Sequence, residues 1–194
     1  MKLHKKNLVM VELSNLIKVY DNSLEDAVCS DLIDKFEGLK EYHQRIDNNR
    51  KPNFTQLNLT ELCKNDNDLN TIHQILVSKT LTYKNEYSKF FNEVCFPDEY
   101  FFEQFRIKRY LNDGNDVFEY HIDVTDHLSA KRFLSFMWYL NDVDKGGETV
   151  FNELVIKPKI GRLVIFPPLW MFPHMGKPPI SGNKYIISTY LHYK

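Results

Sequence analysis

The chain has 194 residues, 43% hydrophobic and 14% aromatic, so it can bury one good core but is too short for two enzyme domains of usual size. Its formal net charge of -1 provides neither a basic field for nucleic acid nor a polybasic patch for a membrane surface. No window is long and apolar enough to span a bilayer. We expect a single domain over residues 1–194 with no nucleic-acid or membrane partner, and composition leaves the oligomeric state open.

The N-terminal segment and the cysteines bear on the compartment. The segment MKLHKKNLVMVELSN contains basic residues, but Glu12 interrupts its apolar run, which argues against a signal peptide. The odd number of cysteines, outside any CxxC or Cys/His metal spacing, indicates reduced thiols at Cys29, Cys63 and Cys95. Together these features predict a cytoplasmic protein.

Residues 1–97 are predicted to be a helix-rich support. Ser23 precedes an acidic stretch in the manner of a helix N-cap, and Gly38 ends the predicted helix. Apolar spacing predicts a long helix from Leu69 to Phe91, whereas the alternation in FTQLNLTEL predicts a strand from Phe54 to Leu62. We expect the two helices to pack on an outer face of a sheet.

Residues 98–194 are predicted to be the β-rich core. Short apolar segments alternate there with turn signals, which is typical of an antiparallel sandwich or barrel. The predicted strand segments are FFEQFRIKRYL, VFEYHIDV, RFLSFMWYL, TVFNELVI, RLVIFP and KYIISTYLHY. Among the turns, Gly146 and Gly147 are expected to adopt positive φ rather than to take part in chemistry.

Three residues of this core form a candidate metal site. His121 and Asp123 stand two apart in VFEYHIDV, and in an extended strand such residues point to the same side, so they can offer an imidazole and a carboxylate to one ion. His174, in FPHMG, would complete a set of two histidines and one carboxylate. Such a set leaves coordination positions open, which is the arrangement that non-haem Fe(II) oxygenases use for a cosubstrate and oxygen.

Strand alternation assigns the neighbouring side chains to faces. In VFEYHIDV the polar face is predicted to line a cavity and to include Val117, Glu119, His121 and Asp123. The opposite face would hold Phe118, Tyr120, Ile122 and Val124. In RFLSFMWYL the apolar face is predicted to comprise Leu134, Phe136, Trp138 and Leu140, which leaves Ser135, Met137 and Tyr139 on the more polar side.

The last strand segment carries a lysine with a specific requirement. Lys184 is predicted to share a face of KYIISTYLHY with Ile186, Ser188, Tyr190 and His192. A buried lysine is costly unless it is paired, so either a cosubstrate carboxylate or a structural Asp or Glu must supply its partner.

The order of these motifs resembles the 2-oxoglutarate and Fe(II)-dependent dioxygenases, within them the prolyl 4-hydroxylase-like branch. The resemblance runs from Phe105 to Tyr193 through RYLNDG, HID, YLNDVDKGGETVF, KPKIGRLVIFP, His174 and GNKYIISTY. It implies an α+β, mainly β fold: a double-stranded β-helix, or jelly-roll and cupin-like barrel, with supporting N-terminal helices in IKVYDNSLEDAVCSDLIDKFE.

The resemblance also implies roles for individual residues. The metal ligands would be His121, Asp123 and His174, and Lys184 would bind the distal carboxylate of 2-oxoglutarate. Further cosubstrate contacts would come from Tyr110, Tyr139 and Ser188. Arg132 would face the substrate. Apart from the resemblance, the position of Trp170 before His174 is consistent either with a wall of the substrate mouth or with plain core packing. Tyr190 departs from the pattern, because many relatives carry a tryptophan there.

The implied activity is hydroxylation of a C–H bond with Fe(II), 2-oxoglutarate and O2, with ascorbate as a further candidate cofactor. A prolyl residue in a peptide or protein is the first choice of substrate, ahead of a free amino acid or small metabolite. Two other classes remain as alternatives, a zinc hydrolase and a non-catalytic cupin-like metal-binding module. The hydrolase would lack an obvious general base near HID and would leave Lys184 idle, and a silent module would not need all four residues.

Overall fold

The computed structural model describes residues 12–49, 52–91 and 95–194. The helices are α1 (Asp26–Gly38), α2 (Leu59–Leu62) and α3 (Asn67–Ser88). The strands are β1 (Lys18–Tyr20), β2 (Gln44–Asp47), β3 (Asn53–Asn58), β4 (Tyr100–Phe102), β5 (Arg106–Tyr110), β6 (Phe118–His121), β7 (Arg132–Tyr139), β8 (Thr149–Phe151), β9 (Leu154–Ile156), β10 (Leu163–Phe166), β11 (His174–Gly176) and β12 (Lys184–Tyr193). Residues 1–11, which contain most of the segment considered above as a signal peptide, lie outside the described ranges.

The strands form two antiparallel sheets. The major sheet has the order β1-β10-β7-β12-β5-β3-β2, with β4 added alongside β12, and the minor sheet has the order β6-β11-β8-β9. Non-consecutive neighbours in both sheets are the mark of a jelly-roll topology rather than of a meander. The predicted double-stranded β-helix is therefore confirmed.

One face of the major sheet packs against the helices. From β7, Leu134, Phe136 and Trp138 are buried in a cluster that also contains Leu32 and Phe36 of α1. Buried residues of α3 in the same cluster are Leu69, Ile72, Leu76 and Tyr87. Alternation along β7 therefore selects the face that helices cover, as the sequence predicts, and burial of these large side chains is a main source of stability.

The opposite face of the major sheet points into the barrel. A second buried cluster contains Tyr110 of β5, Tyr139 of β7 and Ile186 of β12, together with Phe151 and Phe166. Because successive side chains of a strand point to opposite faces, residues of this inner face come from the same strands that support the outer cluster. Of the candidate site residues described below, Lys108, Tyr110, Lys184 and Ser188 lie on this inner face, whereas His121 and His174 belong to the minor sheet.

The helical predictions are right in position but not in every boundary. The helix α1 begins at Asp26 and not next to Ser23, whose buried Oγ donates a hydrogen bond to the Gly161 carbonyl (2.7 Å). Gly161 has a φ of 69°, and a Cβ there would lie 2.3 Å from the Leu24 carbonyl oxygen. The tight contact with this turn keeps the chain non-helical before Asp26.

Other boundaries differ because tertiary contacts override local pattern. The predicted strand over residues 54–62 ends at Asn58, whose side chain accepts a hydrogen bond from the Glu61 N–H and caps α2. The long helix is confirmed as α3. The predicted strand VFEYHIDV is shorter than expected, because β6 ends at His121.

The division near residue 97 is not a boundary of the major sheet. Three strands of the first half, β1, β2 and β3, are hydrogen-bonded members of it, and β3 pairs directly with β5. β1, β2 and the short β11 were not predicted. The expected positive φ is present at Gly146 (74°) and Gly147 (76°).

None of the helices in the described ranges combines the length and apolar character that a membrane span requires. The three cysteines are free thiols, with Cys29 buried and Cys95 exposed.

Candidate active site

The two histidines of the candidate metal site are brought together by strand pairing in the minor sheet. His121 ends β6, His174 begins β11, and the two are direct partners in the antiparallel register. Asp123 follows β6 in a bend. The distance from Asp123 Oδ1 to His121 Nε2 is 3.5 Å and to His174 Nε2 is 3.9 Å. Ligands that share one ion at about 2.1 Å lie roughly 3 to 4 Å apart, so this separation suits a common metal.

Both imidazoles are oriented by their own backbone. His121 Nδ1 lies 2.7 Å from the Glu119 carbonyl oxygen, and His174 Nδ1 lies 3.1 Å from the Phe172 carbonyl oxygen. Because a carbonyl can only accept, Nδ1 carries the proton in each ring. The lone pair of each Nε2 is then free for a metal, and such hydrogen bonds fix the ring of a metal-binding histidine.

Aromatic rings fix the same two histidines. Phe118 stacks on His121 with ring centroids 3.3 Å apart, and His174 lies between Phe151 and Phe166, each with its centroid 4.9 Å away. The predicted faces of β6 are therefore wrong: Phe118 lies beside His121 at the pocket, whereas Tyr120 is half exposed. The pairing of β6 with β11 contains a register shift between His174 and Gly176, so strict alternation does not hold along β6.

The protonation states of the set suit a cation. Burial opposes ionisation of Asp123, but its interactions with His121, His174 and Lys108 lower its pKa to about 2. Burial lowers the pKa of His174 below its usual value. A carboxylate beside neutral imidazole is the donor set that a divalent transition metal takes, and the three residues could hold one ion.

These residues open into a pocket inside the barrel. Of the residues predicted for the cosubstrate, Lys184, Tyr110 and Ser188 line it. The inner face of β7 contributes Ser135 and Met137, as alternation predicts.

Lys184 is a buried cation that faces this pocket. It is 2% exposed, its Nζ donates to the Gly147 carbonyl (3.1 Å), and it lies 4.3 Å from the centre of the Tyr110 ring. No carboxylate of residues 12–49, 52–91 or 95–194 lies within ion-pair distance of Nζ. Burial lowers the pKa of Lys184 to about 7. An anionic group in the pocket would supply the missing partner.

Glycine leaves room beside that ammonium. A Cβ on Gly176 would lie 3.4 Å from Lys184 Nζ, and Gly176 stands two residues after His174 on the pocket side of β11. Residues two apart in a strand are separated by about 7 Å. The Lys184 ammonium thus lies beside Gly176, two residues along β11 from the candidate ligand His174.

Tyr139 lies behind the pocket wall rather than in it. Its side chain is fully buried, and its hydroxyl donates to Thr149 Oγ1 at 2.6 Å. Thr149 lines the pocket and stands opposite Gly176 in the register of β8 and β11. Thr149, and not Tyr139, therefore lines the pocket, and the predicted contact of Tyr139 with a cosubstrate stays a prediction.

Arg132 lines a groove that adjoins the pocket at Asp123. Its Nε and Nη2 donate to the two carboxylate oxygens of Glu103, at 2.7 and 2.6 Å, and its Nη1 donates to the Asp123 carbonyl at 2.8 Å. The guanidinium also lies 4.1 Å from the centre of the Tyr190 ring. These contacts hold the backbone that carries Asp123.

Trp170 is not brought to either cavity. It is 73% exposed and lines neither the pocket nor the groove. Its contact with the substrate stays a prediction.

Sequence reasoning missed three residues of the site. Thr149 and Glu103 lie where only the folded chain brings them near the ligands. Lys108 could have been found, because the alternation in RIKRY puts it on the same face as Tyr110. It lines both the pocket and the groove.

Fold and site together define the class of this protein: a double-stranded β-helix with a candidate two-histidine, one-carboxylate metal site and a buried cation in one pocket. Residues 105–192 match the family model described as the 2OG-Fe(II) oxygenase superfamily. The matched segment contains His121, Asp123, His174 and Lys184, and the order of motifs in the sequence predicts the same superfamily. No curated protein matches it by sequence.

Solved structures share the fold over most of the chain. The viral collagen prolyl hydroxylase of Paramecium Bursaria Chlorella virus-1 is 24% identical, with a TM-score of 0.68 and coverage of 92% of this chain and 97% of that one. A Trichoplax adhaerens prolyl hydroxylase in complex with a hypoxia inducible factor peptide fragment is 16% identical, with a TM-score of 0.72 and coverage of 92% and 84%. A Pseudomonas putida prolyl-4-hydroxylase is 12% identical, with a TM-score of 0.67 and coverage of 94% and 97%.

Proposed function

We propose that this protein hydroxylates a C–H bond of a prolyl residue in a peptide or protein, with conversion of 2-oxoglutarate and O2 into succinate and CO2. The observation that carries the reaction class is the convergence of His121, Asp123 and His174 on one pocket that also contains the buried ammonium of Lys184. Similarity of the fold to prolyl hydroxylases supports the choice of substrate. The groove beside Asp123 offers space for a peptide segment.

The chain's own residues supply position and charge. His121 and His174 present their Nε2 lone pairs with Asp123 between them, and Lys184 offers a charge-assisted hydrogen bond to the distal carboxylate of a bound 2-oxoglutarate. Thr149 accepts from Tyr139, which leaves the threonine hydroxyl proton free to point into the pocket. The bound iron and cosubstrate would supply the oxidising chemistry.

The wall of the pocket limits water. Phe118, Phe166, Met137 and Ile186 contribute apolar surface around the polar groups. In such a low-dielectric site each fixed charge acts more strongly than in water, and side reactions with solvent are reduced.

The test is anaerobic reconstitution with Fe(II) and 2-oxoglutarate, followed by admission of oxygen and a panel of candidate substrates. We expect proline-containing peptides to stimulate succinate formation and to gain one oxygen by mass spectrometry. Stimulation by free amino acids or metabolites alone would discard the prolyl substrate and keep the oxygenase. No succinate under any condition, together with no binding of metal, would discard both.

Arg132 is proposed to act at the boundary of site and substrate. If it contacts the peptide, Arg132→Ala raises the KM for the peptide more than the KM for 2-oxoglutarate. Its engagement with Glu103 and with the Asp123 carbonyl adds a second effect, a loss of metal affinity of about 10- to 100-fold. Glu103→Gln weakens the support of Arg132 and leaves the guanidinium charge of Arg132 in place. Metal content and peptide KM, measured together in this variant, therefore separate the effect on the metal site from the effect on the peptide.

A further inference from the structure

The inner face of β5 carries a second lysine near the candidate metal ligands. Lys108 lies between Arg106 and Tyr110 on this face, and it lines the pocket as well as the groove. Arg106 lines the groove without reaching the pocket, and Tyr110 lines the pocket without reaching the groove. Lys108 therefore stands where the two cavities meet, beside Asp123.

The contacts of Lys108 leave its charge without an anionic partner in the described part of the chain. Its Nζ lies 5.3 Å from the centre of the Phe54 ring. Within residues 12–49, 52–91 and 95–194, no carboxylate is at ion-pair distance and no oxygen accepts a hydrogen bond from it. A weak cation–ring contact does not compensate a partly desolvated ammonium, which requires an opposite charge.

The other charges around the two cavities are already matched. Arg132 pairs with Glu103. A divalent ion carries two positive charges and Lys184 one, and these balance Asp123 together with the two carboxylates of 2-oxoglutarate. In this count the positive charge of Lys108 is left without a matching negative charge. Arg106 is a second cation along the groove, and it donates a hydrogen bond to the neutral Gln104.

We propose that Lys108 binds a carboxylate of the molecule that is hydroxylated, so that the substrate is anionic close to the C–H bond that reacts. This inference rests on the proposed function, because it assumes that the groove admits the substrate to a metal at His121, Asp123 and His174. The carboxylate is that of a free or terminal amino acid or that of an acidic residue next to the target in a peptide. Arg106 adds to the positive field that draws such a group into the groove.

The chemistry is tested with matched pairs that differ in one charge. The first pair is N-acetyl-L-proline and N-acetyl-L-prolinamide, and the second is a blocked peptide with Glu or with Gln next to proline. A third pair, N-acetyl-L-leucine and its amide, separates anion binding from the prolyl substrate. Binding to the Mn(II) and 2-oxoglutarate-loaded protein is measured by calorimetry without turnover, and succinate formation is measured with Fe(II).

We expect the acidic member of at least one pair to bind about 10- to 100-fold more tightly, the range of a charge-assisted hydrogen bond. If the acidic member binds more tightly in the amino-acid pairs, Lys108 binds a free or terminal carboxylate. If it does so only in the peptide pair, Lys108 binds an acidic residue next to the target. Lys108→Met should abolish the preference while 2-oxoglutarate still binds, and Lys108→Arg should keep most of it. The control Lys157→Met changes an exposed lysine and should have no effect.

Equal binding of the two members in every pair by the parent protein would overturn the proposal without any variant. So would a preference that survives in Lys108→Met, or a loss in that variant of 2-oxoglutarate affinity instead of substrate affinity. Failure of the proposed function gives a different pattern. If the protein is not an oxygenase, no metal or cosubstrate binds. If the substrate is not a prolyl residue, the leucine pair alone is bound and oxidised.

Discussion

The two faces of β7 show how one strand serves stability on one side and chemistry on the other. Leu134, Phe136 and Trp138 point outward into the cluster under the helices, whereas Ser135 and Met137 point inward and line the pocket. The outer face needs large apolar side chains of suitable volume. The inner face combines apolar side chains with polar ones around an open space, so its residues are constrained by what binds there.

The same contrast holds in β12. Ile187 and Leu191 are fully buried in the outer cluster, while Lys184, Ser188 and Tyr190 line the pocket. A buried lysine contributes nothing to packing that an apolar residue of similar size would not do better. Its presence on the inner face is explained by a ligand, and variants on the two faces should therefore fail in different ways.

The largest effect is expected at the metal ligands of the inner region. Asp123→Ala should abolish stoichiometric Fe(II) or Mn(II) binding and lower activity by more than about 100-fold, because even loss of a residue that supports a ligand costs 10- to 100-fold. Metal content after dialysis and succinate formation measure this. Asp126→Ala, three residues along in an exposed turn with Ser129, is the matched control and should keep its metal. Unchanged metal stoichiometry in Asp123→Ala would exclude Asp123 as a ligand.

On the outer face the expected loss is of stability. Trp138 is fully buried, so Trp138→Ala should lower the free energy of unfolding by about 3 to 5 kcal/mol, as measured in urea. Its indole N–H has no hydrogen-bond partner among the described residues, so Trp138→Phe should cost much less. The metal affinity of the folded fraction should stay the same in both variants. A specific loss of metal binding in Trp138→Phe would break the separation of the two faces.

Lys184→Met tests the cation of the inner face. Removal of a charge-assisted hydrogen bond of roughly 1.5 to 3 kcal/mol should weaken 2-oxoglutarate binding about 10- to 100-fold and leave the metal in place. Titration of the Fe(II) protein by the metal-to-ligand absorption band measures the affinity. Lys177→Met alters an exposed lysine nearby and serves as the control. If Lys184→Met binds 2-oxoglutarate as tightly as the parent, the lysine has a structural role.

The smallest and most specific effect is on pH dependence. Burial lowers the pKa of Lys184 to about 7 in the folded protein without cosubstrate, whereas a lysine in the unfolded chain titrates near 10.4. Between these values the unfolded state binds the additional proton, so this residue reduces stability progressively as pH falls from about 10 to 7. The advantage of Lys184→Met over the parent in urea unfolding should therefore grow over that window and level off below it. Saturating 2-oxoglutarate should remove the trend, and parallel pH curves for the two proteins would contradict it.

Much of the architecture could be predicted from the sequence because it depends on local regularities. Period-two alternation identified both faces of β7 and the inner residues of β12, and helical spacing found α3. The spacing of His121 and Asp123, with His174 downstream, identified the candidate ligands, and the order of motifs indicated the superfamily.

Tertiary structure decided what distant segments do to one another. The register of β6 against β11 brings His121 opposite His174, and a bend rather than a strand delivers Asp123 to them. Tyr139 donates a hydrogen bond to Thr149, and it is the threonine that lines the pocket. Glu103, in the connection between β4 and β5, accepts hydrogen bonds from Arg132. Alternation predicts which face of the sheet a side chain lies on. The residues that it contacts on that face depend on the order of the strands and on closure of the barrel. For this reason the sequence identified the candidate ligands and the faces of β7 and β12, whereas the fold alone decided the faces of β6 and the neighbours of each residue.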